Sequence, residues 1–153
     1  MKLASVRILE DRNIPFRLIE LKDTAVSVQD VVKFSKGDIK TDEICKTMIL
    51  KDKQGKKYAI FLLGSKKVDL SKAKEAIGEK VSIASIDEVN EVAGVQPGAV
   101  CPLLLDITIF VDEQVFEKEK INFGSGNHLF GIEISPKYLS KIIQFKTGDF
   151  SQL

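Results

Sequence analysis

Two apolar runs that flank a polar segment constrain this chain most. The runs cover residues 47–50 and 58–63, and the segment between them reads Lys51-Asp52-Lys53-Gln54-Gly55-Lys56-Lys57. Because Asp and Gly favour turns, the pattern predicts a β-hairpin with a basic tip. Strands joined by so short a connection are antiparallel, which argues against a doubly wound parallel sheet.

The rest of the chain alternates short helical and strand-like patterns. Its 153 residues suit one compact domain, and we expect residues 1–153 to form a single unit. The interleaved patterns predict an α+β fold, with a mixed, mainly antiparallel sheet flanked by short helices. The predicted helices cover residues 3–9, 28–34, 71–77, 86–93 and 137–143. The predicted strands cover residues 16–21, 44–50, 58–63, 81–83, 105–111, 121–123 and 130–134.

The sequence gives no sign of a membrane segment or a metal site. Its longest apolar run, 59–63, is far shorter than the ~20 residues that cross a bilayer. Cys45 and Cys101 are isolated and match no metal or redox spacing, and His128 is the only histidine. We therefore expect a cytoplasmic protein that needs no metal or cofactor and does not contact a membrane.

Positive charge is concentrated in one part of the chain. The whole sequence has a net charge of +1, but residues 46–74 contain nine lysines against two aspartates. Either these lysines keep an exposed hairpin and helix hydrated, or they contact a polyanion. The second interpretation assigns phosphate contacts to four lysines of the hairpin, Lys51, Lys53, Lys56 and Lys57.

Several features carry candidate chemistry. Lys46 interrupts an apolar strand pattern, so its ammonium either reaches solvent from the strand end or points into a cleft. The segment 94–102 contains two glycines and two prolines, which predicts a stiff loop whose backbone can approach a ligand. The segment Gly124-Ser125-Gly126 suits main-chain contact with a ligand or a tight turn equally well. His128 is either a local hydrogen-bond partner or a general base.

Motifs of several enzyme classes are absent. The sequence has no Walker-type glycine loop, no Gly-x-Ser-x-Gly elbow and no zinc-ligand spacing. Leu129 stands where the dinucleotide fingerprint would need its third glycine. Kinases, common serine hydrolases and zinc enzymes are therefore disfavoured.

Three segments nevertheless follow one another in a distinctive order. They are Lys46-Thr47-Met48-Ile49-Leu50, Gly98-Ala99-Val100-Cys101-Pro102-Leu103 and Gly124-Ser125-Gly126. In this order they resemble the YbaK family of aminoacyl-tRNA deacylases, which includes the editing domain inserted in bacterial prolyl-tRNA synthetases. The resemblance extends from the first predicted helix to the last and implies a YbaK-like fold.

The resemblance also implies an activity. It is the hydrolysis, in trans, of the ester between a wrong small amino acid and a tRNA, most often the tRNA for proline. The implied partners are the acceptor end of a mischarged tRNA, whose phosphates the hairpin lysines would meet, and an aminoacyl-tRNA synthetase. Lys46 is the implied catalytic residue. The implied substrate-binding residues are Thr47, Gly98, Ala99, Val100, Cys101, Pro102, Gly124, Ser125, Gly126, Asn127 and His128.

Other functions stay open at this stage. One alternative is a non-catalytic module that binds tRNA or a synthetase, and another is a binder of a small metabolite or nucleotide phosphate through the glycine loop at 124–126. Chemistry does not decide between them, although an aminoacyl ester is already activated and needs no nucleophilic serine, cysteine or metal. We expect His128 to position substrate, because it lies outside the three motif segments.

Overall fold

A computed structural model describes residues 3–21 and 40–153, which form short helices and two β-sheets. The predicted helix over 28–34 lies outside the described residues. The helices are α1 (Ala4–Asp11), α2 (Leu70–Ile77), α3 (Ile86–Ala93) and α4 (Leu139–Ile142). The strands are β1 (Arg17–Glu20), β2 (Cys45–Asp52), β3 (Lys57–Leu63), β4 (Val81–Ile83), β5 (Thr108–Asp112), β6 (Ile121–Gly124), β7 (Phe130–Ile134) and β8 (Lys146–Gly148).

The strands form one sheet of three strands and one of five. The small sheet has the order β1-β7-β6 and is antiparallel throughout. The large sheet has the order β4-β2-β3-β5-β8, in which β2 pairs antiparallel with both neighbours while the β3–β5 and β5–β8 pairs are parallel. The prediction of an α+β fold with mainly antiparallel pairing is confirmed, with the strands divided between two sheets.

The predicted hairpin is confirmed as the β2–β3 pair. Asp52 organises its turn, because its Oδ1 accepts hydrogen bonds from Gln54 N at 2.9 Å and Lys56 N at 3.0 Å. Gly55 takes the left-handed backbone conformation that the turn requires, with φ of 87°. The Asp and Gly of the polar segment therefore close the hairpin as the sequence indicated.

Side-chain caps fix the ends of α2 and α3. α2 begins at Leu70 rather than at the predicted residue 71, because the N-cap is Asp69, whose carboxylate accepts from Ser71 N and Lys72 N. α3 begins with a capping box between Ser85 and Glu88 and ends at Gly94. The predicted helix at 137–143 is shorter, since a 3₁₀ turn occupies its first residues and Ser135 makes no side-chain cap.

Two strand predictions also need correction. β5 begins at Thr108 rather than at residue 105, because its parallel partner supplies pairing only from Tyr58 onward. β8 was not predicted, since Lys146–Gly148 has no apolar alternation. It is held by Asp112 of β5, whose buried Oδ2 accepts from Phe150 N and Ser151 Oγ, both at 2.8 Å. Pairing partners and a buried carboxylate thus define these strands, not local propensity.

The core lies on both faces of the large sheet. On one face Phe61 of β3 meets Phe123 of β6 edge to face, at 5.6 Å between ring centroids, which joins the two sheets. On the other face Leu50, Ile60 and Leu62 pack with Ala73 of α2. β3 is consequently buried on both sides, as its continuous apolar run indicates. Within the described ranges, no helix is long and apolar enough to span a membrane.

Glu88 generates a prediction about stability in acid. Its Oε1 accepts from Lys51 Nζ at 2.8 Å and from Ser85 N at 3.0 Å, and these bonds lower the pKa of Glu88 to about 2. A carboxylate with a lowered folded pKa stabilises the fold above its unfolded pKa, and this contribution disappears as pH falls towards 2. Glu88→Gln should therefore lower the melting temperature at pH 7, with the difference from the parent shrinking between about pH 4.5 and 2.

The control is Glu91→Gln, because Glu91 is exposed on the same helix. It should leave the dependence of melting temperature on pH unchanged. An equal effect of the two substitutions at pH 7 would contradict the role assigned to the Glu88 contacts.

Candidate functional site

A cavity opens where the two sheets diverge. β4 pairs with β2 only over Leu50–Asp52, while Ile44, just before β2, bridges to Asn122 of β6. Beyond the bond from Ala84 N to Ile49 O, no described strand pairs with this edge of β2 as far as Ile44. A cavity of about 470 Å³ lies beside this open edge. This volume is within the range of ligand pockets.

The cavity has mainly apolar walls with a few polar groups. Apolar walls come from Ile44, Val100, Phe123 and Phe130. None of its described lining residues is Asp or Glu. The polar side chains in the lining are Thr41, Lys46, Thr47, Ser65, Asn122, Asn127 and His128, with Cys45 beside them. A cavity whose described lining holds a cation and no carboxylate favours an anionic or carbonyl-bearing ligand over a cationic one.

Thr47 directs polar groups to the open edge of β2. Gly64 N donates to Ile44 O and Asp52 N donates to Lys56 O, so the even-numbered residues of β2 direct their main-chain groups to β3. The main-chain groups of Thr47 therefore point to the other edge, beyond the end of the β4 ladder. Its hydroxyl is buried, and within the described chain Oγ1 has no hydrogen-bond partner. Such a group is costly unless a ligand satisfies it.

Lys46 is half-buried on β2 and lines the cavity. No described carboxylate lies within ion-pair distance of its ammonium. Burial, and secondly the positive charge of Lys67, lower the pKa of Lys46 below its ordinary value. Of the two sequence interpretations, a lysine directed towards a cleft agrees with this position.

The proline- and glycine-rich loop contributes only part of its length to the cavity. Gly98 and Val100 line it, together with Pro97. Ala99, Cys101 and Pro102, which the resemblance marked as substrate-binding, are buried outside the lining. They pack behind the residues that line the cavity. Ala99 also joins the two loops, since its carbonyl oxygen accepts a hydrogen bond from Gly126 N at 2.8 Å.

The second glycine loop is divided in the same way. Gly124, Asn127 and His128 line the cavity, whereas Ser125 and Gly126 do not. Ser125 is a structural residue, because its buried Oγ lies 2.6 Å from Phe130 O and its carbonyl accepts from Ser5 Oγ of α1 at 2.7 Å. The tight-turn interpretation therefore describes Ser125 and Gly126. The ligand-facing interpretation describes Gly124.

Cys45 lies in the cavity wall without being a candidate nucleophile. Burial raises the pKa of its thiol far above the ordinary value, which leaves almost no thiolate at neutral pH. Burial likewise raises the pKa of Cys101 to about 12. The described residues contain no group of three or more His, Cys, Asp or Glu side chains that could hold a metal ion.

Sequence reasoning missed several lining residues. Asn122 is a buried amide in an otherwise apolar strand, and a polar residue at such a position was a readable signal. Phe123 and Phe130 carried no signal, because aromatic residues in strands usually belong to the core. Only the divergence of the two sheets places them at the cavity.

The lysines of the hairpin tip are not equally available to a ligand. Lys51 Nζ lies 2.8 Å and Lys57 Nζ 3.9 Å from Glu88 carboxylate oxygens. Lys56 Nζ lies over the ring of Tyr58, 5.4 Å from its centroid. Lys53 is exposed in the turn. Two of the four predicted phosphate contacts are thus already engaged with a carboxylate.

Comparison with known proteins agrees with this geometry. A model of the aminoacyl-tRNA editing domain matches residues 22–142, which include the open edge of β2 and both glycine-containing loops. The chain belongs to the aminoacyl-tRNA editing domain family. The resemblance noted from the three sequence segments is thereby confirmed.

Relatives and solved structures extend the comparison. Uncharacterized protein YwhH of Bacillus subtilis (strain 168) is 27% identical over 105 residues, 67% of each chain. The crystal structure of hypothetical protein APE2540 matches with a TM-score of 0.84 and 27% identity, covering 97% of this chain and 99% of the other. A structure named "a putative trans-editing enzyme for prolyl tRNA synthetase" matches with a TM-score of 0.82 over the full length of both chains. At an identity of 20%, this structural match shows a shared YbaK-like fold alone.

Substitution of Thr47 should change stability and ligand binding in opposite directions. Thr47→Val replaces the unpaired hydroxyl by a methyl group, so it should raise the free energy of unfolding of the unliganded editing domain by about 1 to 3 kcal/mol. The same variant should bind a ligand of the cavity less tightly, because it removes a buried hydrogen-bonding group. Chemical denaturation and a deacylation assay on mischarged tRNA measure the two effects.

The matched control is Thr47→Ser, which keeps the hydroxyl and should retain activity close to that of the parent. A valine variant that is less stable than the parent, or fully active, would contradict the assignment of Thr47 Oγ1 to the ligand.

Proposed function

We propose that this editing domain hydrolyses, in trans, the ester between a small amino acid and the 3′-terminal adenosine of a mischarged tRNA. The observation that carries the proposal is the presence of Lys46 and of the Thr47 hydroxyl, which has no partner among the described residues, in the lining of one cavity. The described lining of that cavity includes no carboxylate. We assign the whole chain, 1–153, to this one activity, and place it in the cytoplasm with the tRNA it acts on.

The proposed chemistry needs positioning and charge stabilisation. Water adds to the ester carbonyl carbon, and the carbonyl oxygen becomes an oxyanion in the tetrahedral intermediate. When that intermediate collapses, the bond to the ribose oxygen breaks, and this oxygen leaves with a proton as the free hydroxyl. The Lys46 ammonium and the N–H of Thr47 supply positive charge and a donor for the oxyanion or a neighbouring phosphate. Cys45 cannot serve as nucleophile because its thiol stays protonated.

The walls of the cavity support a small amino acid as the substrate. Val100, Phe123 and Phe130 leave apolar surface for a short side chain. The neighbour named for prolyl tRNA synthetase supports the tRNA for proline as the carrier and a synthetase as a partner.

The exposed part of the hairpin tip supports a contact with the acceptor stem. Lys51 lies five positions along β2 from Lys46, a distance of roughly 17 Å at about 3.4 Å per residue. We assign the phosphate contacts chiefly to Lys53 and Lys56, because Lys51 and Lys57 are paired with Glu88. These contacts would add salt-dependent affinity without base recognition.

Substitution of Lys46 tests the proposal. Lys46→Ala should lower kcat/KM for deacylation of mischarged tRNA by on the order of 10²-fold or more, because one preorganised positive charge is lost at the developing oxyanion. Its melting temperature should stay close to that of the parent, since a half-buried strand-end lysine adds little to the core. Release of the radiolabelled amino acid from tRNA measures the rate.

The matched control is Lys53→Ala, which removes the same charge from the hairpin tip. It should leave kcat unchanged and affect only binding of tRNA. Activity of Lys46→Ala within threefold of the parent would refute the role of Lys46. Retention of tRNA without turnover by the parent would instead identify a binding module.

His128 generates a second prediction. We expect His128 to position the substrate rather than to act as general base, so His128→Asn should retain about one-tenth of the parent's kcat/KM. Loss of a general base would instead lower kcat/KM by about 10² to 10⁴-fold. The variant's pH profile between 6 and 8 should match that of the parent. Loss of activity as complete as in Lys46→Ala would make His128 the general base.

A further inference from the structure

A second, shallower groove adjoins the cavity. It encloses about 410 Å³ and shares two wall residues, Lys46 and Met48, with the cavity. Its floor is Val68, which is buried and fixed by the C-terminal segment, because Gln152 Nε2 donates to Val68 O at 3.1 Å. The remaining wall comes from the start of α2 and the end of β4. Lys46 therefore stands between two contiguous depressions.

The groove carries two lysines suited to an anion. Lys67 joins Lys46 in its wall, and within the described residues neither ammonium has a carboxylate within ion-pair distance. The two positive charges act on each other, since Lys67 helps to lower the pKa of Lys46. The one carboxylate of the wall, Asp69, is engaged by Ser71 N at 3.0 Å and Lys72 N at 3.1 Å. An anion between the lysines would relieve their mutual repulsion.

The groove also exposes apolar surface beside these charges. Leu70 is 38% exposed and Ile83 is 51% exposed, and both line the groove with Met48. The groove therefore combines exposed aliphatic side chains with two lysines, and a nucleotide has a part that suits each of them. The phosphate meets the cations and the base covers the apolar side chains.

We propose that this groove binds the penultimate nucleotide of the tRNA 3′ end. The phosphodiester that joins this nucleotide to the terminal adenosine lies between Lys46 and Lys67. Its base packs on Leu70 and Ile83. The inference rests on the proposed function, in which the cavity holds the terminal adenosine and its ester. Successive nucleotides of a stacked strand are about 3.4 Å apart, so the preceding nucleotide must occupy a site contiguous with the cavity. The groove is such a site and begins at the lysine that the cavity shares.

The test compares two non-hydrolysable ligands. One is adenosine with an amino acid linked at its 3′ position through an amide, and the other is the same compound extended by one 5′ cytidylate. The parent should bind the dinucleotide about tenfold more tightly, because one charge-assisted phosphate contact is added. Lys67→Gln should abolish most of this preference and leave the affinity for the adenosine compound unchanged. Isothermal titration calorimetry measures all four affinities.

Two variants control for charge and for the base. Lys66→Gln removes the same charge one residue away, outside the groove, and should keep the dinucleotide preference within twofold of the parent. Ile83→Thr retains a β-branched residue on β4 and should lower dinucleotide affinity only. A parent that binds both ligands equally, or a preference that survives Lys67→Gln, would overturn the groove assignment.

Hydrolysis of the corresponding esters tests the proposed function separately. If the parent prefers the dinucleotide through Lys67 but hydrolyses neither ester, the groove assignment stands and the catalytic proposal fails. If it hydrolyses both esters without a Lys67-dependent preference, the catalytic proposal stands and the groove assignment fails.

Discussion

The candidate site depends on one close approach of backbone to backbone. A Cβ atom at Gly124 would lie 2.7 Å from Val100 O, so only glycine lets β6 pack directly on the loop at 97–100. The hydrogen bond from Gly126 N to Ala99 O holds the same two segments together. This contact fixes Gly98 and Val100 in the cavity wall and attaches the loop to the small sheet. Ser125, bonded to α1 and β7, anchors the other side of the turn.

The divergence of the two sheets exposes the polar groups of the candidate site. β2 leaves β4 after a short ladder and approaches β6 at its other end, which opens one strand edge between two rigid sheets. Thr47 sits at that edge with a buried hydroxyl that has no partner within residues 3–21 and 40–153, an arrangement that weakens the fold unless a ligand completes it. Lys46 places one positive charge beside the same edge. A site built on strands in this way holds its donors more rigidly than one built on loops alone.

Much of this fold was readable in the sequence, and the reasons are local. Asp52 and Gly55 set the hairpin turn, and the capping box from Ser85 to Glu88 starts α3, so periodicity and turn chemistry sufficed. β8 and the late start of β5 depend on parallel partners and on buried Asp112, which no local pattern records. For the site, resemblance selected Lys46 and the two loops. Phe123, Phe130 and Lys67 required the arrangement of the sheets, because their sequence contexts are those of ordinary core and surface residues.

Incubation of the unmodified protein with a panel of tRNAs charged with alanine, cysteine, serine and proline tests the proposed deacylation most directly. The amino acid released over time is compared with spontaneous hydrolysis. We predict multiple-turnover release of at least one small amino acid from the tRNA for proline, with correctly charged prolyl-tRNA spared. Retention of these tRNAs with no release above the spontaneous rate for any amino acid would contradict it.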